Sequence, residues 1–505
     1  MKFKIAFIGA GSLIFTRTLF TDIMSVPEFR DIDIAFTDIS EDNLKKVTDL
    51  CQKDLEANGI ATKIQSTMDR REAFQDARYI INCVRIGGLE GFETDIEIPL
   101  KYGVDQCVGD TLCIGGIMYG QRVIAAMLDF CKDIREVAAP GAVMLNYSNP
   151  NAMATWACNK YGKVKTIGLC HSVQSCTKNL MDVVGMDCTG VEYKIAGINH
   201  QAWLLEVTKD GRDLYPETWY ISISHHGESL LQKLLPAFEA HETYREEEKV
   251  RIDILKRFGY YSTESNGHLS EYVAWYRKRP DEIKDWIDLS RWIHGETGGY
   301  LRVTREERRW FETDYPKILA EPPKKYDGSD RGLEHGSYII ESLETGRMYR
   351  GHFNMMNEGC ISNLPYECVV EVPCYVDGNG ISVPKIGDLP LGPAAVCSQS
   401  IWVQRLSVEA AAAGDVTLLK QAALMDPLTG AVCNPPEIWQ MVDEMLVAQE
   451  QWLPQYKDEI ELAKKRLSSG DRIPTRDGYR GAVRLREKSP EEVASARAQR
   501  DLTAK

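Results

Sequence analysis

Long apolar runs are missing from this sequence. No window approaches the roughly 20 uninterrupted apolar residues that a membrane-spanning helix needs, so no membrane partner is expected. An excess of positive charge is missing too. Lys and Arg number 60 against 74 Asp and Glu, a formal net charge of -14, whereas a nucleic-acid footprint or a polybasic membrane patch needs clustered cations. Low-complexity tracts and internal repeats are absent, which excludes solenoids and arrays. The 14 cysteines lack the spacing of a disulfide framework, and a chain of 505 residues does not need one. Most are expected to be buried thiols. The N-terminus MKFKIAFIGAGSL is apolar, but glycines interrupt the stretch where a signal peptide needs a continuous helical core. It reads as a first strand. These absences leave a soluble, cytoplasmic protein that acts on a small molecule, and the length suits two intimately associated domains.

The first two hundred residues alternate short apolar runs with amphipathic stretches. Strands are expected at 4–10, 32–38, 63–67, 79–85, 142–147 and 165–170, with helices between them, notably 41–58 and 116–137, where apolar residues recur every three or four positions. The fold class is therefore α/β: an N-terminal Rossmann-like, doubly wound parallel sheet of the lactate/malate dehydrogenase kind. From about Tyr193 the order changes to a strand-like stretch, a long helical region through Phe311, strands near 368–376 and a helix after Pro436. This predicts a C-terminal α+β domain. The expected division is 1–195, 196–467 and a polar tail at 468–505 that is surface-bound or partly disordered. The segment 321–332 reads as an exposed loop.

Three places carry chemistry. In GAGSLIF, Gly9, Gly11 and Ser12 follow a strand and precede a helix, where glycines let backbone amides approach a pyrophosphate at the helix N-terminus. The third glycine of the usual fingerprint is replaced by Ile14, so an ordinary strand-turn-helix is the competing reading. Asp38, at the end of the second strand, can bind an adenosine ribose and repel a 2′-phosphate, which favours NAD over NADP. Second, Cys170 ends one strand and His200 another. Thiolate and imidazole suit a borderline divalent ion with open positions for substrate, although a pair thirty residues apart matches no zinc spacing. Third, Asn149 in NYSNP is either a sugar-binding amide or a cap for the helix beginning at Pro150.

Taken in order, GAGS, VGDTLCIGGIMYGQR (108–122), MLNYSNPNAM (144–153), IGLCHSVQ (167–174), AGINH (196–200) and MDP (425–427) resemble glycoside hydrolase family 4 over about 3–455. Cys-His-Ser at 170–172 resembles the α-galactosidase (melibiase-type) branch. Phospho-specific relatives place an arginine where this chain has Phe92, which implies an unphosphorylated α-glycoside. Cys113-Ile114 departs from a usual Gly-Pro. Ordinary glycosidases flank the bond with two carboxylates, and the NAD-dependent family is an exception. The resemblance implies oxidation at sugar carbon 3 by NAD, removal of the carbon 2 proton, elimination of the leaving group, addition of water and return of the hydride. It implies that Cys170 and His200 hold a divalent metal, Mn2+ foremost, that His171 donates a proton to the leaving oxygen, and that His268 is the base, with Glu264 and Tyr272 as alternatives. It also implies a homodimer or homotetramer. α-Glucosidase and α-glucuronidase or α-galacturonidase remain alternatives within the family, and a plain NAD-dependent dehydrogenase of a hydroxy acid or polyol remains the alternative outside it.

Overall fold

A computed structural model describes residues 2–187, 189–215, 230–288, 295–328, 331–470 and 472–503. The expected helical region before Phe311 and the expected loop at 321–332 lie partly outside these residues.

The six N-terminal strands form as the apolar runs dictate: β1 Lys4–Ile8, β2 Asp33–Thr37, β3 Ile64–Thr67, β4 Ala77–Asn82, β5 Val143–Asn146 and β6 Lys165–Gly168. They pair in parallel in the order 3-2-1-4-5-6. β1, β4 and β5 are almost wholly buried, as strands covered by helices on both faces must be. Reversal of strand order beside β1 opens a crevice at the carboxyl ends of β1 and β4, the place where such sheets bind ligands. Each expected strand is present, but several end one to three residues early. β4 stops at Asn82, whose amide donates to Asn146 Oδ1 at 2.8 Å and Ser148 Oγ at 3.1 Å, and the chain beyond it turns out of the sheet to line the crevice. The long helix begins at Cys113 rather than Gly116 and runs to Val137.

The second half adds strands to the same sheet. β7 Val191–Ile198, β8 Gln201–Lys209, β9 Arg212–Asp213, β10 Tyr349–Met356, β11 Val369–Asp377 and β12 Gly380–Ser382 continue it antiparallel in the order 6-10-11-7-8-9, with β12 on β11. The boundary expected between 195 and 196 cuts through β7, and one twelve-stranded sheet spans both halves. β7 and β8 join by the two-residue turn Asn199-His200. His200 has φ +63°, a left-handed backbone uncommon for a non-glycine residue and frequent at functional sites. The turn projects His200 toward the end of β6, where Cys170 lies. The helices Leu391–Ala413, Val416–Met425 and Pro435–Ala448 build a second apolar cluster around Met118, Leu419 and Met441. Among the described residues no helix is long and apolar enough to cross a membrane.

Candidate active site

At the crevice, Gly9 has φ +79°, and a Cβ there would lie 2.8 Å from the Cys83 carbonyl carbon and the Val84 nitrogen. Only glycine allows the β1 and β4 ends to approach so closely. The Gly9 and Ala10 amides donate to Thr37 C=O, each at 3.1 Å. Asp38 accepts from the Gly11 amide at 2.8 Å and the Ser40 amide at 2.9 Å, so it shapes the loop as well as facing the crevice. Ser12 caps the helix Leu13–Met24 by position alone, its side chain making no cap hydrogen bond. The first-turn amides of this helix are left without a side-chain cap, and a helix N-terminus of this kind suits an anion.

Further along the same sheet edge, Cys170, His200 and Glu264 each offer a donor atom within 4.8 Å of the others. Cys170 Sγ lies 3.4 Å from His200 Nε2, and Glu264 Oε1 lies 3.7 Å from it. Glu264, expected only as an alternative base, completes the group with the two ligands expected from sequence. Thr111 fixes the His200 ring: its hydroxyl is 3.0 Å from Nδ1 and 2.9 Å from Asp110 Oδ1. Since Asp110 only accepts, the threonine proton goes to it, and the oxygen accepts from Nδ1–H. That tautomer leaves the Nε2 lone pair aimed at Cys170 and Glu264. Burial pushes the Cys170 thiol up to about 12. Burial also opposes ionisation of Glu264, yet the positive charge of His200 and His268, when these rings are protonated, draws its carboxyl down to about 2.

His268, on the helix Asn266–Tyr272, is mostly buried. Its Nδ1 lies 2.7 Å from Ser265 Oγ and 3.2 Å from Glu264 Oε2. With an ionised carboxylate at Nδ1, the proton belongs there and Nε2 carries the free lone pair; burial pushes its pKa down. Tyr272 is enclosed one turn away, with ring centroids 6.0 Å apart. His171 is half-exposed, with Nδ1 3.1 Å from Glu334 Oε1, and this hydrogen bond raises its pKa to about 9. Asn149 is not a helix cap. Pro150 holds the cap position of Asn151–Ala157, and the Asn149 amide reaches both Asp110 oxygens at 3.3 Å.

Asp110 is thus a junction that sequence reasoning missed. It also pairs with Arg85 at 3.2 Å. The Arg85 guanidinium lies over Phe92, Tyr119 and Tyr300, 4.6, 5.3 and 5.3 Å from the ring centroids. Phe92 is buried as a wall of this cage. The signal for Asp110 was its place in VGDT, beside residues already singled out. Glu271 was missed as well. Fully buried, it accepts from the amides of Cys107 and Val108 at 2.7 and 3.0 Å through one oxygen and from Gly109 at 2.9 Å through the other. Burial raises its pKa to about 7, against the pull of these amides. Glu271→Gln turns an acceptor into a donor facing donors and is expected to cost about 1–3 kcal/mol, read as a lowered thermal midpoint with the secondary-structure spectrum intact.

A crevice with a glycine cradle thus lies beside a sulfur-imidazole-carboxylate group on one sheet edge. The family model "Family 4 glycosyl hydrolase" matches residues 4–186, and "Family 4 glycosyl hydrolase C-terminal domain" matches 195–429. The chain belongs to glycosyl hydrolase family 4. Among family relatives, an α-galactosidase of Rhizobium meliloti is 54% identical over 503 residues, covering 100% of this chain and 99% of the relative. An α-galactosidase of Bacillus subtilis is 37% identical, covering 90% and 100%. A solved 6-phospho-β-glucosidase of Thermotoga maritima, with manganese, NAD+ and glucose-6-phosphate, superposes with a TM-score of 0.71 at 22% identity, covering 89% of this chain and 99% of that one. Such identity speaks to the family 4 fold alone.

Proposed function

We propose that this chain hydrolyses unphosphorylated α-glycosides, α-galactosides foremost, using NAD and a divalent metal, Mn2+ foremost. The observation that carries this reading is the Cys170, His200 and Glu264 group at the same sheet edge as the Gly9–Asp38 crevice. The 54% identical α-galactosidase supports the sugar class, and the NAD and manganese in a solved family member support the cofactors. Phe92, enclosed against Arg85, supports a substrate without phosphate.

The residues fit both groups. Sulfur, imidazole nitrogen and carboxylate oxygen from three elements suit a borderline divalent ion and leave positions for sugar oxygens. The high pKa of the buried Cys170 thiol is what a dication would overcome, since ligation requires thiolate. Gly9, Gly11, Ser12 and Asp38 fit a dinucleotide. Bound there, NAD supplies a reversible hydride acceptor and the metal supplies Lewis acidity. The chain's own groups handle the protons. His268 Nε2, with Nδ1 held by Glu264 and Ser265, takes the proton from sugar carbon 2. His171, kept charged by Glu334, gives a proton to the leaving oxygen. One histidine held basic and one held acidic divide the work as acid–base pairs do. Asn149 and Asp110 are placed to hold the sugar hydroxyls. Residues 1–195 carry the dinucleotide fold together with Cys170 and His171, residues 196–467 add His200, Glu264 and His268, and the enzyme works in the cytoplasm as a homodimer or homotetramer.

The test is release of p-nitrophenol from the α-galactoside and the α-glucoside, with NAD and Mn2+ each present or absent. Cleavage is expected to need both, to stop on chelation and return with Mn2+, and to leave no net NADH. Accumulating NADH without cleavage would replace this reading with a dehydrogenase. A faster α-glucoside would move the substrate, not the chemistry.

A further inference from the structure

The chain beyond the helix Lys457–Ser468 lies outside the residues matched by the family models, which stop at 429. Its composition is polar and mixed in charge, the kind that holds no core of its own. Its course over the body is nevertheless fixed by backbone bonds. Ile473 exchanges two hydrogen bonds with the Gln440 side chain, at 2.8 and 3.0 Å. The Arg476 amide donates to Lys101 C=O at 2.8 Å. Gly481, with φ +92°, lies against Thr297, where a Cβ would come within 2.3 Å of its methyl group. The Ala482 amide donates to Asp105 Oδ2 at 2.9 Å, and the Thr297 amide donates to Val483 C=O at 2.6 Å. Arg484 pairs with Glu97 at 2.9 Å, and the helix Pro490–Thr503 lies along Gly299–Ala320, with Arg497 4.1 Å from the Trp310 ring.

Asp105, fully buried, is where this segment meets the interior. Its carboxylate accepts from Arg277 at 2.5 Å, from the Thr297 hydroxyl at 2.8 Å and from the Ala482 amide. A buried carboxylate is tolerated only when its lone pairs are met, so the Ala482 amide is part of what keeps Asp105 in place. Asp105 begins the loop whose next amides, Cys107 to Gly109, are gathered by Glu271. The same loop ends in Asp110 and Thr111, the residues that touch Asn149 and His200.

We propose that the C-terminal segment is a strap that completes the active site, with Asp105 as its positioning residue: docked at 481–483, it fixes the loop 105–111 and so holds Thr111 on His200. The strap's link to the metal rests on the reading of Cys170 and His200 given under Proposed function; its hold on the loop does not.

The test uses full-length Gly481→Val, which combines a strained backbone with a clash on Thr297, and a second chain ended after Ser469. Hydrogen exchange at the amides of 107–109 reads loop order, Mn2+ affinity by electron paramagnetic resonance reads the metal site, and tryptophan quenching reads NAD. Exchange is expected to rise ~10-fold or more, the mark of local opening. The Mn2+ Kd is expected to rise ~10-fold, as for groups that orient a ligand, with NAD affinity unchanged. Unchanged exchange in a chain whose strap is displaced overturns the proposal, and faster exchange with unchanged Mn2+ affinity overturns its link to His200. If the shortened chain does not fold, Gly481→Val decides. If the unaltered protein binds no Mn2+, the metal reading fails and exchange alone judges the strap.

Discussion

His200→Asn is expected to lower kcat/KM by ~10³-fold or more, because Lewis-acid stabilisation is worth several kcal/mol and this substitution removes the nitrogen at the centre of the group. Asparagine is the appropriate replacement. His200 has φ +63°, a conformation asparagine tolerates better than alanine, so the turn between β7 and β8 is preserved while the imidazole is lost. Its shorter amide does not reach both Thr111 and the position where Nε2 faces Cys170 and Glu264. Mn2+ binding should fall with activity, and NAD binding, which involves the other end of the sheet edge, should remain. Retention of Mn2+ affinity with lost activity would make His200 a catalytic group and not a ligand. Retention of both would remove it from the site.

The contrast between what was readable and what was not follows from range. Strand periodicity is local, so β1 to β6 are legible as apolar runs, whereas their 3-2-1-4-5-6 order is one of several that right-handed βαβ crossovers allow. The glycine cradle and Asp38 are legible because both belong to one βαβ unit. β11 is legible as the strand expected near 368–376, β10 at Tyr349–Met356 is not among the expected strands, and nothing local says that the two insert between β6 and β7. That pairing joins segments about two hundred residues apart, and it is why the two halves share a sheet. In the site, Cys170 and His200 sit at strand ends and stand out by residue type. Glu264 stands out only as an alternative base, since nothing local says that the fold brings its carboxylate beside His200. Asp110 and Glu271 are hidden for a related reason: their roles are hydrogen bonds to groups far along the chain. The polar tail is legible only as surface-bound or partly disordered, because its hold on the body is made by backbone amides and buried polar partners, which leave no hydrophobic pattern in sequence.

Left-handed backbone also explains why two positions that look alike differ in consequence. Cys113, at the place where the family usually has glycine, has φ +64° and is fully buried, its sulfur 3.8 Å from Thr429 Oγ1. The left-handed turn is thus kept without glycine, and the side chain fills space against the helix Pro427–Val432. The departure from the family there alters packing behind the loop. At Gly9 no such exchange is open, because the space is already backbone.

Gly9→Ala is therefore expected to weaken NAD binding ~100-fold or more, a loss of about 2.8 kcal/mol on the scale where 1.4 kcal/mol is tenfold. The added methyl would lie 2.8 Å from the Cys83 carbonyl carbon and the Val84 nitrogen and 2.9 Å from the Cys83 oxygen. None of these atoms can turn aside as a side-chain tip can. Relief requires the ends of β1 and β4 to separate, which moves the Gly9 and Ala10 amides off Thr37 and reshapes the crevice. The left-handed φ of +79° adds strain for any residue with a Cβ. Activity should fall with NAD occupancy and recover in part at high NAD, while Mn2+ affinity stays at the level of the unaltered enzyme. Unchanged NAD affinity in a folded Gly9→Ala protein would show that the dinucleotide does not use this crevice. Loss of NAD and Mn2+ binding together would mean that the substitution disturbs the whole sheet edge, and the same assay on Gly11→Ala would then separate the two sites. The nearest atoms to a methyl at Gly11 belong to side chains, Asn43 Cβ and Asp38 Oδ2 at 2.9 Å, so it perturbs the Asp38 side of the crevice without parting the strands.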